Sequence, residues 1–277
     1  MTRDGLDNLR PETGTGVGTD STTFPPGTFR PAPGRAKAAR MLLAQTRTEI
    51  SLTLRHPEQT LLTLLIPLVL LVGLSTLELG MLAPPRVDSV APRILALAVM
   101  STAFTGQAIA LGFDRRYGVI KRLTATALPR WVLIAGRVLA ALSVVALQTV
   151  VLSATAFALG WHPSPSGALP GVLVLVLGTL AFGAGGVLVG GALRAEIVLA
   201  VANTVWFLLL MGGGLAVPAR HLPGPMSAVA DYLPSGALAR ALTACAAGDA
   251  APVSSLFVLL GWGVLAGGLA IRTTRVS

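Results

Sequence analysis

Apolar residues gather along the chain into six long runs, separated by polar links that carry glycine, proline or charge. The runs cover residues 60–79, 91–112, 131–159, 169–190, 197–217 and 251–271. A helix rises about 1.5 Å per residue and needs roughly 20 apolar residues to cross the hydrocarbon of a bilayer. Each run meets that length, so the pattern predicts an all-α polytopic membrane protein with six transmembrane helices. The third run exceeds a crossing and would tilt or protrude. Small residues four apart, Gly186 with Gly190 and Gly263 with Gly267, let helix backbones approach closely, either within the chain or between subunits. Gly212, Gly213 and Gly214 would weaken the fifth helix near its end.

Two segments precede the runs. Residues 1–34 are rich in Gly, Pro and Thr with almost nothing to bury, and read as a disordered cytoplasmic tail. Residues 35–59 interleave Met41, Leu42, Ile50, Leu52 and Leu54 with Arg40, Arg47 and Arg55. That mixture predicts an amphipathic interfacial helix along the membrane surface. Residues 60–277 then form the membrane domain. Between its fifth and sixth runs lie two proline steps, Leu222-Pro223 and Leu233-Pro234.

Composition agrees with the pattern. Hydrophobic residues make up 53% and charged residues 12%, where soluble domains carry about 25% charged residues. The net charge of +9 comes with few aromatics, which excludes a base-stacking nucleic-acid surface. Its distribution is topological instead. With the N-terminus inside, 17 of the 21 Lys and Arg residues fall on the inner side and four on the outer. Basic residues concentrate on cytoplasmic ends, so both termini are expected in the cytoplasm. Scarce Lys beside abundant Gly, Ala, Leu and Val fits a GC-rich, actinobacteria-like bacterial genome.

Several chemistries are missing. There is no G-x-x-x-x-G-K-[ST] phosphate loop, no H-E-x-x-H metal site and no G-x-S-x-G nucleophile turn. His56, His162 and His221 all lie outside the apolar runs, and the single cysteine, Cys245, forbids an internal disulfide. Ion-coupled transporters usually hold an acidic group at membrane depth. Here Glu78 and Glu196 sit at run ends, Asp114 at a boundary, and no Asp, Glu or Lys falls mid-run. Neutral polar residues do occur there: Ser101, Thr102, Thr105 and Gln107 in the second run, Gln148 in the third, Asn203 and Thr204 in the fifth. They serve either as interhelical hydrogen bonds or as a polar lining; Thr105, Gln107, Asn203 and Thr204 are the candidate translocation path.

One link is unlike the others. "FDRRYGVIKRLTATALPRW", residues 113–131, carries five basic residues between two spans. Read as one helix over 114–128, it sets Tyr117 and Ile120 on one face and Arg115 and Arg122 opposite. Asp114 near the start would suit the helix dipole, and Pro129 limits continuation. Either an ordinary positive-inside loop or a docking surface would have this composition.

The passage "GFDRRYGVIKRLTATALPRWVLIAGRVLA" resembles the first cytoplasmic loop of type 2 ABC transporter permeases, the drug and antibiotic exporter group. Asp114, Arg115, Gly118, Lys121, Arg122, Leu123, Pro129, Gly136 and Arg137 match the family pattern, whereas Val119 stands where Thr is frequent. "MGGGLAVPARHLPGPMSAVADYLPSGALARAL" is similar to the segment after the family's fifth helix, which implies short outer helices set by glycines, Pro218 and the Leu222-Pro223 and Leu233-Pro234 steps, and "LRHPEQTLLTLLIPLVLLV" is similar to its approach to the first. The resemblance implies a plasma-membrane permease acting as a dimer, here a homodimer, with separate ATP-binding subunits. Asp114, Arg115, Arg116, Tyr117, Gly118, Lys121 and Arg122 would form the coupling site, and the surface helix would also touch the ATPase. ATP would be bound on the partner chain, with no cofactor on this one, and a small amphiphilic substrate would pass between subunits. An ion-coupled transporter and a non-transporting membrane scaffold stand as the alternatives.

Overall fold

A computed structural model describes residues 37–55, 57–77, 85–124, 129–216 and 224–273. The expected tail, Glu78, His56, His221 and the Leu222-Pro223 step lie outside the described residues. Among those described there is no strand. The helices are α1 (Ala38–Leu54), α2 (Pro57–Thr76), α3 (Arg86–Val99), α4 (Gln107–Arg116), α5 (Val119–Thr124), α6 (Arg130–Ala158), α7 (Ala168–Ala192), α8 (Ala195–Gly212), α9 (Gly224–Tyr232), α10 (Pro234–Ala247) and α11 (Val253–Thr273). The chain is an all-α polytopic membrane protein. Five helical stretches are long and apolar enough to cross a bilayer: 86–116, 131–158, 165–192, 195–212 and 253–273. The described apolar part of α2, Thr63–Thr76, is shorter than a full crossing.

Boundaries move where proline and glycine act. The segment expected as one surface helix over 35–59 ends at Leu54, and Pro57 already opens α2. Proline suits a first helical position, where its missing N–H would have had no partner. The second span begins at Arg86 rather than Ala91 and absorbs Arg93, which is 8% exposed and donates to the hydroxyl of Ser89. It continues without a break through a π-helical segment, Met100–Gly106, into α4. The whole stretch runs 31 residues, about 46 Å at helical rise. The fifth span stops at Gly212, and Gly214 turns left-handed at φ 71°, a conformation that glycine adopts without a Cβ clash. The weakness expected there is thus a termination.

The 86–116 helix is the axis of the bundle. Over half of its most apolar window, 56%, is buried, against 17% for the fifth span. α2, α6, α7, α8 and α10 pack around it, while α11 lies outside against α7 and α10. Close approach to the axis is made through glycine. A Cβ on Gly186 would lie 2.7 Å from the Phe104 carbonyl oxygen, and one on Gly190 would lie 2.4 Å from that of Ala108. Gly263 faces the Ala181 backbone at 3.3 Å. The Gly186 and Gly190 pair and Gly263 therefore serve packing inside this chain.

The two short helices expected between the fifth and sixth runs are α9 and α10. α10 starts at Pro234 in the first helical position. It wedges along α7, with Leu238 against Gly178 and Cys245 against Gly167 and Gly171. Cys245 is 2% exposed, and burial pushes its thiol pKa up.

Candidate functional site

Two polar regions tie the helices together at different heights. The first lies midway along the axis. Pro67 sits inside α2 and has no N–H, so the Thr63 carbonyl four residues back loses its helical donor. The Gln148 side chain, 3% exposed on α6, donates its Nε2 to that carbonyl at 3.3 Å. Its Oε1 accepts from the Thr102 hydroxyl of the π segment at 2.9 Å. On the other side of the axis, Trp206 Nε1 on α8 donates to Ser101 Oγ at 2.9 Å. Four helical stretches, α2, α6, α8 and the 86–116 helix, are thereby joined without a formal charge. Such bonds contribute about 0.6 to 2 kcal/mol each in membrane bundles. The π segment itself is the wide, rare turn that tends to occur at functional positions.

The residues expected to line a path sit on the π segment, on α4 and on α8. Thr105 lies in the π segment, and its buried Oγ1 has no hydrogen-bond partner among the described residues. Gln107 is half-buried at the start of α4, with its Cβ packed towards Gly186. Asn203 and Thr204 lie on the exposed side of α8, where Asn203 Nδ2 donates back to the Leu199 carbonyl.

The second region gathers charge at the end of the bundle where α4 finishes. The sequence expectation of one helix over 114–128 fails here. α4 ends at Arg116, Tyr117 caps it, and Gly118 turns left-handed at φ 69° before α5 starts at Val119. Residues 125–128 lie outside the described residues. Asp114 is therefore in the last turn of a helix, where the dipole disfavours an anion. Its compensation is Arg137 of α6, which donates to its carboxylate.

The neighbouring cations are committed as well. Arg115 Nη1 donates to the Gly190 and Leu193 carbonyls at 3.1 and 3.2 Å, capping the C-terminus of α7. Arg116 pairs with Glu196 in the first turn of α8, where the dipole favours the carboxylate. Both arginines are thus structural ties between α4 and the turn joining α7 to α8. Tyr117 stacks on Phe113 with ring centroids 6.1 Å apart and is 65% exposed.

Restarting the helix at Val119 resolves the imperfect stripe of the single-helix reading. On α5, Val119, Ile120 and Leu123 are half-buried, while Lys121 and Arg122 are exposed. α5 is a short basic helix rooted by a glycine turn in a knot that involves α4, α6, α7 and α8.

Sequence reasoning missed the other side of that knot. α1 lies against α6, where the Gln45 side chain covers Gly136: a Cβ there would sit 2.5 Å from Gln45 Cγ. Gln45 Nε2 donates to Glu49 Oε1 at 2.9 Å, and the same oxygen lies 3.9 Å from Arg137 Nη2. The signal was available in the glycine-arginine step at 136–137, which had been matched by pattern without a physical reason.

Long apolar helices in a bundle, with a basic inter-span helix at one end, define a polytopic membrane protein. The ABC-2 type transporter family model matches residues 41–245, well over half of the chain, and the protein belongs to that family. It is thus the membrane subunit of an ABC transporter and not itself a catalytic domain. No individually characterised protein matches the chain.

Proposed function

We propose that the chain is the permease of an ATP-driven exporter that moves small amphiphilic, drug- or antibiotic-like molecules across a bacterial plasma membrane. In this reading α2 completes six spans, both termini are cytoplasmic, α1 lies at the inner surface, and two copies form the working unit. ATP is held by a separate ATP-binding subunit that docks on α5. Closure of the ATPase pushes α5, and its root passes the movement to the bundle. Substrate follows by alternating access, provided it binds the inward and outward states with different affinity.

The observation that carries the reading is α5: a helix with an exposed cationic face, set on a glycine turn and tied at its root to three spans besides α4. A non-transporting scaffold would have no use for such a projection. The neutral layer around Gln148 suits a route for amphiphiles, which needs adaptable polar contacts and few charges.

The test separates the cations by what they hold. Lys121→Glu combined with Arg122→Glu in the full chain should abolish co-purification with the ATP-binding subunit and transport, with membrane insertion intact. Arg116→Gln removes an exposed pair worth under about 1 kcal/mol and should keep co-purification. Unchanged association of the double variant would refute docking through α5.

A further inference from the structure

The cations of α1 differ from those at the end of the bundle. Arg115, Arg116 and Arg137 are each engaged by a carbonyl or carboxylate of a neighbouring helix. Lys37, Arg40, Arg47 and Arg55 are exposed and form no ion pair among the described residues. At 3.6 residues per turn the four fall within one arc of about 80°. Glu49 is the single acid of α1, and it lies on the opposite side, where Gln45 packs on Gly136 of α6. The cationic stripe therefore points away from α6.

Leucines flank it. Leu43 stands at one edge, 69% exposed, and Leu52 at the other, 51% exposed. Lys37, Arg40, Leu43 and Arg47 share one open depression with Ala39 and Ala44. Arg55 caps α1, and Pro57 opens the apolar α2 two residues later. One end of the stripe is thus fixed at the mouth of an apolar helix. Phosphates beside acyl chains match this arrangement. Lysine and arginine reach the phosphates, while their stems and the leucines enter the apolar margin. An acidic protein surface would meet the charges and leave the leucines without a counterpart.

We propose that this stripe is a binding site for anionic phospholipid headgroups of the inner leaflet, with Lys37, Arg40 and Arg47 on the phosphates and Leu43 in the acyl region beside them. The site rests on the placement of α1 at the inner membrane surface, and it names the lipid chemistry that holds α1 there. The helix is then held from both sides, by α6 within and by lipid without.

The test uses the full chain with Cys245→Ala, in phosphatidylcholine nanodiscs, carrying a fluorophore on Thr48→Cys. Thr48 is exposed and adjoins the stripe. Phosphatidylglycerol or phosphatidylcholine bearing a nitroxide high on its acyl chain is introduced at rising mole fraction, and quenching is read. Each cation near an anionic surface strengthens the attraction about fivefold. With three cations at the phosphates, a preference for the anionic lipid of at least about 25-fold is expected. Arg40→Gln with Arg47→Gln should cut it to about fivefold or less, and Arg40→Lys with Arg47→Lys should keep it. Arg272→Gln, at the end of α11, should leave it unchanged. Equal quenching by the two lipids, or an undiminished preference in the double glutamine variant, overturns the lipid site and leaves α1 at the membrane. Quenching by neither lipid removes the placement and the site with it. No ATP-binding subunit is present, so neither result bears on docking through α5. In a separate co-purification, loss of that subunit from the double glutamine variant, together with equal quenching by the two lipids, would make the stripe a protein surface instead.

Discussion

The neutral layer around Gln148 and the charged knot around Arg137 both join helices through polar side chains, and they do so with opposite chemistry. At mid-height no formal charge is used: an amide, two hydroxyls, an indole and one carbonyl freed by proline are matched donor to acceptor. At the end of the bundle the partners are ions and helix termini, and several remain half-exposed. Burying an ion at bilayer depth is expensive, whereas ions near the aqueous boundary retain solvation. The difference teaches where rigidity and adjustability can reside. Neutral bonds join the axis at mid-height, and ion pairs join its end, where solvation remains.

That contrast can be broken at the seam between the regions. Gly190→Leu sets a side chain against the Ala108 carbonyl, which is helix backbone and cannot yield. It should cost about 3 kcal/mol or more and abolish a cooperative melt in detergent. Gln148→Leu leaves the Thr63 carbonyl and the Thr102 hydroxyl without their partner. A loss of about 1 to 2 kcal/mol is expected, read as a lower melting temperature with insertion retained. Thr105→Val acts in the other direction. It removes a buried hydroxyl with no described partner, so stability should rise by about 1 kcal/mol, unless that hydroxyl meets substrate. A stabilised variant with impaired transport would place Thr105 on the route.

Much of the fold was legible because hydrophobic runs of bilayer length admit few other structures. The family resemblance was legible for the same reason, since its motifs sit at run boundaries. Errors came where one residue redirects the backbone. Gly118 split the basic segment, which reversed the electrostatic setting of Asp114 from the start of a helix to the end of one. The partners of Arg115 and Arg116 were hidden because sequence does not reveal that α7 ends and α8 begins beside them. Asn203 and Thr204 fall in the fifth span as expected, but the direction they face depends on packing that periodicity alone does not fix. Glu49 and Arg137 are 88 positions apart, and no local pattern relates them.

Pro67 and Gln148 illustrate a different kind of dependence. The amide supplies a donor to the Thr63 carbonyl, where the proline ring removed the helical one. Restoring an ordinary residue at 67 would remove that demand and leave the Thr102 hydroxyl as the one remaining partner, among the described residues, for an amide at 148. Substituted singly in the reverse order, the same pair passes through a damaged intermediate. Loss of the amide is therefore costlier while the proline remains than after it has gone.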